Sequence, residues 1–439
     1  MDWGKLPDLA TVGLLACAFA SVARRSQTPV SELWLTGWIL VVAHFAAFLF
    51  VPSPGIWGIL AADLGLAALV GAGILFMYAS IPYRKDVSSR LMLGSLLGIN
   101  LLYIALLNGV SGPSWMLDVA AALFGAVPLA LGLFSIRRVS HPLRWMTVSL
   151  YCALSVFLLL VQNRPNMGAD FALNGVLFTV FFGCCLFFAY NYRGATAGAF
   201  ITIAGFFAWA AVFLLAPLLA TLEPKMQIES EVWNLPKYIV AVGMILLLLE
   251  GQIEHNKYLA LHDELTGLPN RRLFLDRLDL ALERARRAGT KMALLVVDLD
   301  HFKQVNDTLG HHAGDLLLQQ VGEIFINRVR RLDTVARTGG DEFSVILEEP
   351  ITPANAAQVV QSLLQLLNQP LPVGEHMVCV GASIGVATFP DDATDKEALC
   401  IAADLRMYDN KHAPKGSGTD GVIRKNSPSP VIKPMSPVK

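Results

Sequence analysis

The chain has 439 residues, 54% of them hydrophobic, with a formal net charge of −1 and a mean hydropathy of +0.52. It is too apolar for one ordinary soluble domain and long enough for more than one folded unit, so a membrane portion is expected. The balanced charge, and the lack of basic patches interleaved with aromatics, argue against a nucleic-acid polymer as partner.

In chain order, apolar runs of about 20 residues, each long enough to cross a bilayer, fall near 6–23, 33–51, 56–80, 91–110, 115–136, 143–162, 172–190, 197–222 and 235–249. About nine transmembrane helices are therefore expected over residues 1–250. The first run has no basic n-region and no small-residue cleavage site, which makes it a retained helix and not a signal peptide. Arg24 and Arg25, then Arg84, Lys85 and Arg90, then Arg137, Arg138 and Arg144, and finally Arg193 occupy alternate loops. Alternating basic loops place the N-terminus outside and, with an odd number of crossings, the polar C-terminal half in the cytoplasm. Arg164, Lys225 and Lys237 depart from the pattern. His44, Asp63, Asn100 and Asp118 lie inside the spans, where a polar group either marks a ligand or ion path or satisfies a neighbouring helix. Good helix formers continue the last span across residues 251–262, which read as a linking helix.

Six cysteines show neither zinc nor redox spacing and are read as buried reduced thiols. The cytoplasmic half opens its chemistry at KMALLVVDLDHFK, residues 291–303, a short apolar run of the kind that forms a strand buried on both faces. It ends in Asp298-Leu299-Asp300, a strand exit suited to a hard divalent ion, although strand-end aspartates are also common caps. Lys303, Asn306, His311 and Asp315 flank a glycine-containing loop, with a helix expected to resume after Gly314. Asn and Asp can read a purine edge and Lys can neutralise phosphate, though each is equally a turn residue. Next, TVARTGGDEFSVIL reads as strand, hairpin and strand, with Gly339 and Gly340 supplying positive φ and close approach for a phosphate. Asp341 and Glu342 then project to opposite faces. Taken alone, GGDE is as readily a polar hairpin tip. Beside a partner acid, a lysine and a metal-friendly strand end, it points to phosphoryl or nucleotidyl transfer.

The segments DELTGLPNRR (263–272), DLDHFKQVNDTLGHHAGD (298–315), RTGGDEF (337–343), ASIGVA (382–387) and ADLRMYDNK (403–411) occur in order, and together they resemble the GGDEF family of diguanylate cyclases over about 261–424. After the α-helical transmembrane bundle read from the apolar runs, the resemblance implies an α/β domain over 261–426, with a central, mostly antiparallel sheet flanked by helices. It implies condensation of two GTP into cyclic di-GMP and two pyrophosphates by a homodimer, which with the apolar runs and the basic-loop pattern gives a bacterial inner-membrane protein with its N-terminus periplasmic. Asp298, the Leu299 carbonyl and Asp341 would hold Mg²⁺, with Mn²⁺ as a substitute. Asp341 would also serve as base, with Lys303 stabilising charge on phosphate and Glu342 accompanying them in catalysis. Asn306 and Asp315 would read guanine, His311 would lie along the nucleotide, and Lys411 would meet its terminal phosphates. Arg330 and Asp333 fit the family's RxxD product-inhibition site, while the same RRLD string is also an ordinary basic helix end.

Two departures stand out. HAPKGSG at 412–418 puts Lys415 where the family usually has an arginine, which keeps the charge but loses the bidentate fork and predicts weaker GTP binding. Arg406 and Asn410 replace alanines common in the last helix and read as surface changes. Residues 427–439 are Pro- and Ser-rich and are expected to be disordered, with no phosphodiesterase domain. An idle domain that acts as a cyclic di-GMP or GTP receptor, and a transporter with an attached regulatory domain, are the competing readings.

Overall fold

Long apolar segments satisfy their backbone groups internally by coiling. In the computed structural model of the protein, nine helices among the described residues are long and apolar enough to cross a membrane. The structure describes residues 2–26, 28–80, 87–109, 115–134, 142–162, 168–192, 194, 196–223, 230–348, 351–413 and 423–425. The chain forms two compact units, Met1–Glu254 and His255–Lys439.

The first unit contains α1 (Leu6–Ser26), α2 (Pro29–Phe48), α3 (Ile56–Ala79), α4 (Val87–Gly109), α5 (Trp115–Phe134), α6 (Pro142–Val161), α7 (Gly168–Asn191), α8 (Ala197–Leu222) and most of α9 (Ser230–Leu261). Its core is aromatic: Phe181 stacks on Trp209 with centroids 4.0 Å apart, and Trp34 stacks on Phe188 at 5.5 Å. The four polar residues singled out within the spans all find partners in this unit. His44 Nδ1 lies 2.9 Å from the Gly65 carbonyl, and Asp63 accepts from Asn108 Nδ2 at 2.7 Å. Asn100 donates to the Leu96 carbonyl of its own helix. Asp118 accepts from Gln162, whose own oxygen accepts from the Tyr103 hydroxyl. For His44, Asp63 and Asp118 these contacts fit the fastening of neighbouring helices, whereas the Asn100 contact stays within its own helix. Of the loops that carry the charge pattern, residues 84, 85, 137, 138, 164, 193 and 225 lie outside the described residues.

The second unit runs α10 (Arg271–Ala288), β1 (Met292–Leu299), α11 (Phe302–Leu309), α12 (His311–Arg328), β2 (Thr334–Arg337), β3 (Glu342–Leu347), α13 (Pro353–Leu367), β4 (Leu371–Val373), β5 (His376–Val378), β6 (Ala382–Phe389), α14 (Lys396–His412) and β7 (Ile423–Lys425). Its four-stranded sheet has the order β2-β3-β1-β6, antiparallel throughout, and a smaller sheet joins β4, β5 and β7. With strands on both sides, β1 is central, which explains its unbroken apolar run. The strand period of two sorts its side chains. Ala293, Leu295, Val297 and Leu299 enter the core shared with α12 and α13. Met292 and Leu294 enter the core shared with α10 and α14. By that alternation Asp298 belongs to the α14 face.

Helix α14 lies unusually close to this face. A Cβ added to Gly385 of β6 would meet the Ala403 carbonyl at 2.0 Å and the Met407 nitrogen at 2.3 Å. Only glycine admits the helix backbone there. β6 is an edge strand, yet its open edge is occupied: Asn410 Nδ2 donates to the Ile384 carbonyl, Arg406 to the Val386 carbonyl, and the Thr388 amide to Asp392. Arg406 also forms two hydrogen bonds to the Asp392 carboxylate. The two departures in α14 therefore do more than decorate a surface, because they satisfy sheet-edge groups that would otherwise be left open.

Candidate active site

Asp298 is 7% exposed and receives Lys411 Nζ on both carboxylate oxygens, at 2.7 Å each. Lys411 comes from the last turn of α14, so the glycine contact at Gly385 places the ammonium at the strand end. Glu342 stands opposite Asp298 in the β1–β3 register, and the same alternation puts it on the α14 face. Asp341 precedes β3 in the turn, and its carbonyl accepts the Leu299 amide at 3.2 Å. Asp300 accepts from Ser383 Oγ at 2.8 Å.

These carboxylates sense one another. Burial pushes the Glu342 pKa up, and Asp298, Asp341 and Asp404 add to the shift while Lys411 opposes it. The hydrogen bond to Asp298 holds the Lys411 pKa above its ordinary value against partial burial, with Asp298, Asp341 and Asp300 contributing charge. The cluster thus already holds one cation, the Lys411 ammonium, which shows that its donors favour positive charge. All-oxygen donors around a buried acid suit a hard divalent ion. Among the described residues no three His, Cys, Asp or Glu side chains form a ready metal site. An ion bound by Asp298, Asp341 and the Leu299 carbonyl would therefore keep positions for oxygens of a bound molecule.

The glycine hairpin is built differently from the sequence expectation. Neither Gly339 nor Gly340 has positive φ. A Cβ at Gly339 would sit 2.6 Å from Glu342 Oε2, so a larger residue there would press on the Glu342 side chain. Arg337 pins the turn instead: its Nε and Nη2 donate to the Gly340 carbonyl at 3.1 and 2.7 Å, and its Nη1 reaches both oxygens of Asp263 at 2.9 and 3.1 Å. Asp263 also accepts from the Thr266 amide and hydroxyl. Burial raises the Asp263 pKa, but Thr266 and Arg337 outweigh it and hold the carboxyl below its usual range. A depressed carboxyl stabilises the fold above its unfolded pKa and loses that contribution as pH falls through the folded value. Arg337→Met is accordingly expected to cost about 2 kcal/mol at pH 7. Thermal melts of variant and parent should converge as pH falls through the lowered Asp263 carboxyl pKa.

Lys303 and Asn306 lie on α11, His311 opens α12, and Asp315 follows one turn later. The break between these helices is Gly310, at φ +85°, so α12 begins four residues before Gly314 is passed, earlier than expected. Gly314 is instead an inward position: a Cβ there would fall 1.9 Å from Asn306 Oδ1, so its absence seats the Asn306 amide against Gly314. Lys303, His311 and Asp315 are exposed. Among the described residues no hydrogen bond or ion pair links them to Asp298, Asp341 or Glu342. The structure thus brings together Asp298, Leu299, Asp341, Glu342 and Lys411, and separately Asn306 with the Gly314–Asp315 turn.

Arg330 is exposed, and its backbone amide donates to Asp333 Oδ2 at 2.8 Å, while the Glu348 amide donates to Asp333 Oδ1 at 3.0 Å. Burial pushes the Asp333 pKa up, with those two amides opposing it. Lys415 and residues 427–439 lie outside the described residues. The sequence reading missed the Asp263–Arg337 tie, the Asp404 charge and the Gly385 contact. All of these residues lie inside the ordered segments, but only the first offered a chemical signal, an acid and an arginine able to pair.

Residues 260–417 match the family model described as "Diguanylate cyclase, GGDEF domain". The chain is 42% identical over 198 residues to the bifunctional diguanylate cyclase/cyclic di-GMP phosphodiesterase MucR of Pseudomonas aeruginosa, a match covering 42% of this chain and 28% of that protein. It is 38% identical over 157 residues to the diguanylate cyclase TpbB of the same organism, covering 36% of each. The chain thus spans between about a quarter and a third of the length of these curated relatives. A solved structure comprising only the GGDEF domain of TpbB is 38% identical, covers 34% of this chain and 88% of its own, and gives a TM-score of 0.34.

Proposed function

We propose that this chain, whose residues 260–417 match the diguanylate cyclase GGDEF-domain model, is a membrane-bound diguanylate cyclase that condenses two GTP into cyclic di-GMP and two pyrophosphates. The observation that carries it is the Lys411 ammonium held on Asp298 at the end of the central strand, with Glu342 opposite Asp298 in the strand register and Asp341 in the adjoining turn. The nine apolar helices among the described residues support an inner-membrane location, the alternating basic loops of the sequence favour a periplasmic N-terminus and a cytoplasmic catalytic domain, and the membrane unit is taken to control output.

In this mechanism a homodimer apposes two half-sites, each holding one GTP. Asn306 and Asp315 take the guanine edge, His311 lies along the nucleotide, and Lys411 and Lys415 meet the phosphates. Asp341 takes the proton from the 3′-hydroxyl, whose oxygen forms a bond to the α-phosphorus of the opposing GTP as the bond to pyrophosphate breaks. Lys303 stabilises the charge that develops on phosphate. A bound Mg²⁺, or Mn²⁺ in its place, held by Asp298, Asp341 and the Leu299 carbonyl, would polarise the phosphate and lower the pKa of the attacking hydroxyl. Arg330 and Asp333 would bind product and restrain turnover.

The test is incubation of the full-length protein, in lipid vesicles, with GTP and Mg²⁺. Cyclic di-GMP and two pyrophosphates per product are expected. Tight binding of cyclic di-GMP with no turnover would instead favour the receptor reading.

A further inference from the structure

Lys411 occupies an unusual position for a residue whose task is to meet phosphate, because both of its carboxylate contacts fall on one buried acid. Asp298 is 7% exposed, and Lys411 Nζ sits 2.7 Å from each of its oxygens. Asp341 and Asp300 add their charge to the same ammonium. Lys411 is itself 41% exposed along its side chain, so it is the movable partner and Asp298 the fixed one.

We infer that Lys411 is a place-holder for the divalent ion, a latch on Asp298 that a metal must displace and that the triphosphate releases by offering the ammonium another anion. This deepens the proposed function and rests on its assignment of Asp298 as a metal ligand. Two consequences follow from charge alone. Without nucleotide, a divalent ion competes with a cation already bound through two short contacts, and its affinity is held down. With nucleotide present, phosphate draws Lys411 away, so nucleotide and metal favour each other's binding, and that coupling is reciprocal. The latch keeps Asp298 paired and guarded against free metal until substrate arrives. It also explains why Gly385 matters to chemistry, since the close packing of α14 on β6 sets how far the ammonium reaches.

The experiment measures Mn²⁺ affinity of the full-length protein in detergent by electron paramagnetic resonance, without nucleotide and with a non-hydrolysable GTP analogue. Lys411→Met is expected to tighten nucleotide-free Mn²⁺ binding by about tenfold, the size of one competing charge-assisted contact. The enhancement by the analogue should shrink in the same variant. Lys303→Met, which removes an equal charge from α11 with no contact to Asp298, should change nucleotide-free affinity by less than about twofold. Unchanged or weaker Mn²⁺ binding in Lys411→Met, or an equal gain in Lys303→Met, overturns the latch while leaving the proposed metal site standing. Absence of Mn²⁺ binding to the parent protein even with the analogue overturns the metal site, and the latch with it.

Discussion

Asp341→Ala is expected to lower cyclic di-GMP formation by roughly a thousandfold or more, with little change in thermal stability. The loss is large because one substitution removes two proposed contributions, a metal ligand and the base that takes the 3′-hydroxyl proton. The fold should tolerate it, because the backbone contact that Asp341 makes, its carbonyl accepting from Leu299, does not involve the side chain. Removing this acid also relieves repulsion on Glu342, whose pKa burial and neighbouring carboxylates raise. The variant should therefore still bind GTP, which separates it from a misfolded protein. Turnover within about tenfold of the parent would remove Asp341 from the chemistry.

Gly385→Ala should act through the opposite route, on structure first and activity second. The new methyl meets backbone atoms, the Ala403 carbonyl and the Met407 nitrogen, so no side-chain rotation makes room and α14 must lift from β6. Overpacking of this kind costs about 3 kcal/mol. The displaced helix would also withdraw Asn410 and Arg406 from the β6 edge and Lys411 from Asp298. Thermal unfolding followed by proteolysis of the cytoplasmic unit should report the loss, and cyclase activity should fall with it. A melt unchanged from the parent would mean that the helix is free to shift.

The architecture was legible because its determinants are local and periodic. Nine apolar runs became nine helices among the described residues, and the buried run before Asp298 became the central strand. The functional segments could be ordered along the chain, and the end of the central strand does meet a lysine from the last of them. What escaped the sequence depends on approach distances between segments far apart in the chain. Gly339 and Gly340 read as conformational hinges, but neither has positive φ, and Gly310 supplies it in the loop before α12. Gly385 lies in an ordinary strand pattern, and only the packed helix reveals that a backbone runs across it. Arg406 and Asn410 read as surface substitutions because nothing in their own helix discloses the carbonyls of β6. Lys411 was assigned to phosphate, and its hold on Asp298 emerged only once the α14 face of β1 was known.

Anomalous diffraction from crystals of the full-length protein grown with Mn²⁺ and a non-hydrolysable GTP analogue bears most directly on the shared-cation claim. The expected result is a Mn²⁺ peak bonded to Asp298, the Leu299 carbonyl, Asp341 and phosphate oxygens, with Lys411 moved onto the triphosphate. A nucleotide bound with its metal ligated by neither Asp298 nor Asp341, and Lys411 still on Asp298, would contradict it.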